Sequence, residues 1–399
     1  MICKFSGMMY LCFMHIKRKY LSKIKENMKW FPCVVIIGPR QVGKTTLVRD
    51  MIQSTKGVFM YLDLELDSDL DKLSDPETFL RRHADKTIIM DEVQRSPKLF
   101  PLLRALIDLD NRPGRFILLG SASPALIQDS SESQAERIAF VEVHPFDVME
   151  TDRRIKLNQV WLKGGFPAPL LGKSPWQNWM ANYTRTYIES DLPQLGFPAN
   201  RNVSRKIWAM LAHYHGNLVN YSELAKSLEI SVNTAKSYVQ FLENALLIRT
   251  LPSWHENSGK RLVKAPKVYL RDSGILHYFL DIADDEALQL HPKLGSSWEG
   301  FVIEQIAAQL EDEFRFYFYR THDGAEMDLV LEKRGKKVAA IEIKMGSKVS
   351  LSKGNMIAFK DLNCKHQFVI TLKSETYSLS NGAVVCDLKT FLKHYLPKI

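Results

Sequence analysis

Gly38-Pro39-Arg40-Gln41-Val42-Gly43-Lys44-Thr45-Thr46 follows the spacing G-x-x-x-x-G-K-[ST], and its residue types suit the holding of a phosphate chain. Gly38 and Gly43 let the backbone curl so that its N–H groups turn toward phosphate oxygens. A helix opening at Thr45 adds roughly half a positive charge at its amino end. The Lys44 ammonium then reaches the β- and γ-phosphates, and the Thr45 hydroxyl falls on a Mg2+ ion. Roughly forty-five residues later, Thr87-Ile88-Ile89-Met90-Asp91-Glu92 reads as an apolar strand ending in two carboxylates. There Asp91 is placed to hold the magnesium through water, and Glu92 to polarise an attacking water. The expected ligands are ATP and Mg2+. Two more residues belong to this expectation. Ser121, at the end of Phe116-Ile117-Leu118-Leu119-Gly120-Ser121-Ala122-Ser123, is placed to hydrogen-bond the γ-phosphate or the lytic water. Arg137 precedes the next strand and is a candidate to reach a γ-phosphate, including that of a neighbouring subunit in a homo-oligomer.

A second constellation lies near the carboxyl end. Gly324-Ala325-Glu326-Met327-Asp328 opens one strand, and Val338-Ala339-Ala340-Ile341-Glu342-Ile343-Lys344 forms the next. Side chains alternate along a strand, so Glu342 and Lys344 share one face, and Ile341 and Ile343 take the other. Asp328 converges on the same spot, and Glu299 or Glu304 on the preceding helix offers another carboxylate. Carboxylates around Mg2+ with a lysine beside them suit phosphodiester cleavage. In the order helix Glu, strand Asp, strand Glu-x-Lys, the set resembles the PD-(D/E)xK nuclease superfamily.

These residues need elements to position them. Strand candidates Cys33–Ile37, Val58–Leu62, Thr87–Met90, Phe116–Leu119 and Ala139–Val143 alternate with helical stretches at Lys44–Gln53, Pro76–His83 and Lys98–Leu109. That order predicts a parallel sheet with helices on both faces over 31–150, after a leading segment 1–30. Within 160–275 helical periodicity dominates, at Trp176–Leu192 and Val203–Tyr214 and in two shorter helices. From 290 to 399 a helix, Ser297–Glu311, precedes five short strands.

The two shorter helices read as a helix-turn-helix. Asn220 and Glu223 have capping-box spacing, and Ser231 is set to cap the second helix. Ala235, Val239, Leu242 and Leu246 form its inner face. Asn233, Thr234, Lys236, Ser237 and Gln240 point out, suited to the major groove of double-stranded DNA. An arm with Lys260, Arg261, Lys264 and Lys267 follows as a basic wing. Residues 201–270 hold ten Lys/Arg against four Asp/Glu, about +6 of a net charge of +9. A protein partner in place of DNA is the other expectation.

Of 399 residues, 45% are hydrophobic and 25% charged, enough for two or three domains. Cys3, Cys12, Cys33, Cys364 and Cys386 form no CxxC pair, so neither a disulfide framework nor a zinc site is readable, which suits the cytoplasm. The start, MICKFSGMMYLCFMHIKRKY, is apolar and then basic, the wrong order for a secretory signal. Translation from Met14 would leave His15–Trp30 as a basic amphipathic helix. No run approaches the roughly 20 apolar residues that span a bilayer, so no membrane partner is expected.

The chain resembles the bacterial and archaeal AAA-type ATP-binding proteins that pair an AAA domain with a C-terminal domain of unknown function, DUF4143. The matching residues are Gly38–Thr46, Met90-Asp91-Glu92-Val93-Gln94, Leu119–Ser123, Gly164-Gly165-Phe166-Pro167, Tyr187-Ile188-Glu189-Ser190-Asp191-Leu192 and Lys260–Lys267. The resemblance runs from about Met14 to about residue 350, with DUF4143 over roughly 180–345. It differs at Leu119, where the family usually has Thr, and at Glu136, where it usually has Gly. It implies an ATPase fold; with the helix-turn-helix and the nuclease-like constellation, the expected fold class is α/β, a P-loop, AAA-like parallel sheet followed by a helical winged-helix region and a restriction-endonuclease-like α/β domain.

Overall fold

The computed structural model describes residues 16–121, 137–172, 175–254, 264–346 and 349–399. Its first sheet has five parallel strands: β1 (Cys33–Gly38), β2 (Phe59–Asp63), β3 (Thr87–Asp91), β4 (Phe116–Ser121) and β5 (Ile138–Glu142). Their spatial order is β2-β3-β4-β1-β5. Every residue of β1 is buried, as expected for a central strand covered on both faces. Its side chains alternate accordingly. Cys33, Val35 and Ile37 pack with Phe100, Leu103 and Leu106 of the helix Leu99–Leu109. Val34 and Ile36 pack with Ile24 of the helix Tyr20–Asn27 and with Leu47, Val48 and Met51 of Lys44–Gln53. Because β1 lies between β4 and β5, the chain leaves it for the far side of the sheet, and a crevice opens at its carboxyl end. Gly38 pairs in register with Ser121, which aligns the carboxyl ends of β1 and β4.

The middle segment is mainly helical. The helix Trp176–Thr186 widens into a π-type turn over Tyr187–Asp191, so the long helix expected to Leu192 changes pitch before it ends. Arg201–Tyr214, Tyr221–Leu228 and Val232–Asn244 follow. Asn220 caps the third of these four helices, accepting from the Glu223 N–H at 3.2 Å, while Glu223 itself accepts from the Tyr214 hydroxyl. Ser231 caps the fourth at 3.0 Å from the Thr234 N–H. Ala235, Val239 and Leu242 are buried there, with Tyr238 beside them. Leu246 is not on that face: the helix ends at Asn244, and Leu246 takes a left-handed backbone at φ 58°. Asn233, Lys236, Ser237 and Gln240 are exposed, and Thr234 is half-buried. Strands β6 (Asn217–Leu218), β7 (Ile248–Leu251) and β8 (Lys267–Leu270) form a small antiparallel sheet in the order β6-β8-β7.

The last sheet is mixed. An antiparallel meander of β9 (Phe314–Arg320), β10 (Glu326–Lys333) and β11 (Lys336–Lys344) continues in parallel through β12 (His366–Thr371) and β14 (Val384–Asp387), with β13 (Tyr377–Ser378) at the edge. The helix Lys353–Leu362 makes the crossover from β11 to β12. Leu294–Ala307 is buried nearly all round, and one hydrophobic core joins it to the middle segment and this sheet. Polar pins cross the same junction: Trp161 Nε1 donates to Ser297 Oγ at 3.0 Å, and Ser297 Oγ lies 2.7 Å from His277 Nε2. Among the described residues, no helix is long and apolar enough to cross a membrane.

Candidate functional site

The loop between β1 and the helix Lys44–Gln53 has the expected local form. Gly43 takes φ 97°, a conformation natural to glycine, and turns the chain into the helix. A Cβ on Gly38 would stand 2.4 Å from the Val143 carbonyl oxygen, so only glycine fits between β1 and the chain after β5. Lys44 is buried, and its Nζ donates to the carbonyls of Gly38 at 2.9 Å and Pro39 at 3.0 Å. Burial pulls the Lys44 ammonium down to about 8, against the opposing pull of Glu92 and Asp91. The Thr45 hydroxyl donates to Asp91 Oδ2 at 2.7 Å, which brings the end of β3 to the start of the helix.

Asp91 is also held by the Tyr61 hydroxyl from β2 and by the Glu92 N–H at 2.9 Å. Glu92 takes a left-handed backbone at φ 55°, which lifts its carboxylate off the strand line. Gln94 Nε2 donates to that carboxylate. Burial raises the Glu92 pKa, with Lys44 opposing. Glu92, Gln94 and Ser121 line an open cleft of about 500 Å3 with Arg40, Glu65 and Asp191. Arg40 reaches out of the phosphate loop to an ion pair with Asp191 of the π-type turn and lies 3.6 Å from Glu65. Gln41, at φ 62°, and Thr46 are exposed, and Val42 is buried under the loop. Gly38 to Thr46, Asp91, Glu92 and Ser121 are thus gathered at one crevice.

Arg137 is not gathered there. It precedes β5 at the amino end of the sheet and pairs with Asp108 at 2.8 Å. The length of β5, about 16 Å at 3.3 Å per residue, separates that end from the loop of its own chain. Ala122, Ser123 and Glu136 lie outside the described residues, as do Cys3, Cys12, His15, Lys260 and Arg261. Sequence reasoning missed Tyr61, and it gave no role to Gln94, which lay in a motif noted for resemblance. Asp191 lay in a motif noted for resemblance, with no role attached.

Fit to ATP and Mg2+ rests on this donor set. The glycine cradle leaves no Cβ against the loop, and Thr45 and Asp91 present two oxygens to one point, as suits an ion completed by phosphate and water. Bound there, Mg2+ would neutralise charge on the phosphates.

The carboxyl-terminal residues also converge, around a different occupant. Asp328 and Glu342 are buried on adjacent strands, and the Ile343 N–H donates to Asp328 Oδ2 at 2.9 Å. Lys344 pairs with Glu342. Glu342 was placed opposite a buried isoleucine face, yet it is itself only 2% exposed, because the sheet is covered on both sides. Glu299 joins this group and Glu304 does not. Five helix positions turn about 500°, which sends Glu304 to another face, where Arg249 and Arg271 pair with it. Lys267, read from the sequence as part of an exposed wing, is instead 3% exposed and points into the carboxylates. Burial opposes its charge, but Glu299, Tyr269, Asp328 and Glu326 hold its pKa well above the ordinary value. Burial and then Glu342 and Glu299 push the Asp328 pKa well up, and burial raises that of Glu342.

Comparison with known proteins accords with the crevice at the phosphate loop. Residues 31–151 match the AAA domain family, 154–286 a domain of unknown function, DUF8612, and 294–391 the domain of unknown function DUF4143. The fold and the loop define an AAA-type P-loop ATPase-like protein. The chain is 39% identical over 375 residues to the uncharacterized protein Rv2008c of Mycobacterium tuberculosis, covering 94% of this chain and 84% of that one. The uncharacterized protein Mb2031c of Mycobacterium bovis matches to the same extent. The chain therefore belongs to the family of AAA-domain proteins that carry a C-terminal DUF4143 domain. Among solved structures, the Walker-type ATPase PABY2304 of Pyrococcus abyssi superimposes with a TM-score of 0.45 at 16% identity, over 67% of this chain and 96% of that one. The replication initiator DnaA bound to AMPPCP and single-stranded DNA gives 0.28 at 13%, over 56% and 86%. Neither superposition is close enough to bear on function.

Proposed function

We propose that the protein binds Mg-ATP at the phosphate loop and hydrolyses it, and that it works on or beside double-stranded DNA. The observation that carries the hydrolysis is the meeting of Lys44, Thr45, Asp91 and Glu92 at the ends of β1 and β3. Lys44 binds the phosphates, Thr45 and Asp91 orient the metal, and Glu92 takes the proton of the attacking water. Ser121, at the cleft wall, holds that water or the γ-phosphate. The exposed Asn233, Lys236, Ser237 and Gln240 support DNA contact through the helix Val232–Asn244, in a winged-helix arrangement with β7 and β8.

A second reading has an observation of its own. The ion pair of Arg40 with Asp191 ties the phosphate loop to the middle segment, which favours a nucleotide-gated switch that presents a surface to a protein partner. ATP turnover measured with and without plasmid DNA separates the two. Stimulation by DNA that weakens steeply with added salt supports the first. Turnover indifferent to DNA overturns it in favour of the switch.

A further inference from the structure

The carboxylates of the last sheet are arranged around a nitrogen atom. Lys267 Nζ lies 3.1 Å from Glu299 Oε1, 3.1 Å from Glu326 Oε1 and 3.7 Å from Asp328 Oδ1. Its side chain is only 4% exposed. The Tyr269 hydroxyl, two residues along the same strand, also donates to Glu299. The acids come from the helix Leu294–Ala307 and from β10, whereas the lysine comes from β8 in the middle segment. Lys344 engages one oxygen of Glu342, and the other, Oε2, is buried with no hydrogen-bond partner.

A Mg2+ or Mn2+ site would require these oxygens at about 2.0–2.2 Å from one point, with no ammonium among them. Here Glu299 and Glu326 stand at hydrogen-bond distance from the ammonium and Asp328 at 3.7 Å from it, and the ammonium occupies the space between these three acids. Among the described residues, no group of three or more His, Cys, Asp or Glu is arranged to hold a metal ion. The set therefore does not fit the divalent ion that its residue types suggest. We infer that Lys267 is the resident cation of this site, a tethered ammonium that takes the place of a divalent metal and fastens the middle segment to the last sheet. Metal and Lys267 then exclude one another. A divalent ion enters only when the lysine is withdrawn or removed, leaving Glu299, Asp328 and the unpartnered oxygen of Glu342 to receive it.

The test is Mn2+ binding by the full, nucleotide-free chain, followed by electron paramagnetic resonance. Wild type and Asp328→Asn should bind the same number of ions. Lys267→Met should gain one site at least tenfold tighter than any ion shared with wild type, and Lys267→Met/Asp328→Asn should lose it again. An ion on the wild-type chain that disappears in Asp328→Asn would overturn the inference. So would a folded Lys267→Met that gains no site. Removing a buried charge partner is strongly destabilising, so Lys267→Met can fail to fold. In that event the comparison of wild type with Asp328→Asn decides alone: equal binding supports the tethered ammonium, and unequal binding refutes it.

Discussion

The phosphate-loop crevice and the carboxyl-terminal cluster are built from the same materials, acids at strand ends with lysines close by, yet their ions rest on different partners. In the crevice, Asp91 accepts from two hydroxyls, those of Thr45 and Tyr61, and from a backbone N–H. Lys44 donates to two carbonyls. Both charges are solvated by neutral groups and remain available to a phosphate chain and its metal. In the cluster, charges meet charges: Lys267 pairs with Glu299 and Glu326, and Lys344 pairs with one oxygen of Glu342. Neutral partners keep a site open to an ionic ligand, and ionic partners close it. The same residue types therefore predict binding in one place and internal bracing in the other.

That contrast can be broken most severely at Lys44. If its charge is held in reserve for phosphate, Lys44→Ala should weaken ATP at least about 100-fold by calorimetry, the scale of a lost charge-assisted contact in a buried site. Unchanged affinity would place the nucleotide elsewhere. The pH dependence sharpens the same point. A carboxylate serves as a base only when charged, and the Glu92 pKa is raised, so with Glu92 as the base kcat/KM should fall on acidification through a value above the ordinary carboxylate range near 4.3. With Lys44 as the phosphate-holding ammonium, which must be charged to do so, the alkaline limb should fall near 8. A profile flat to pH 9.5 would contradict the alkaline assignment. The smallest expected effect lies at the pair that joins crevice to middle segment. Arg40 is one-third exposed, so a double-mutant cycle of Arg40→Ala and Asp191→Asn should show a coupling of about 1 kcal/mol or less in stability. Strict additivity would disconnect the two segments.

How much of this was legible in the sequence follows from how local each feature is. The strand, loop and helix around Gly38 to Thr46 are contiguous, and their bounds fall within a residue of expectation. Tyr61 was not readable, because its reach to Asp91 depends on β2 lying beside β3, a pairing no local pattern carries. Arg137 was assigned by its position just before a strand, whereas strand direction places it at the far end of the sheet. Lys267 sits in a basic run and reads as solvated, but β8 runs inside the fold and turns it toward acids about thirty to sixty residues away. The choice between Glu299 and Glu304 likewise needed the partners around a helix buried on most of its surface.

The claim at the centre of this account is that the crevice hydrolyses ATP through Glu92. Steady-state hydrolysis by Glu92→Gln, with nucleotide affinity measured on the same preparation, tests it most directly. Turnover should fall about 100- to 10,000-fold, the usual contribution of a general base, while ATP still binds within a few-fold of wild type. Turnover equal to wild type in a variant that binds ATP normally would contradict it.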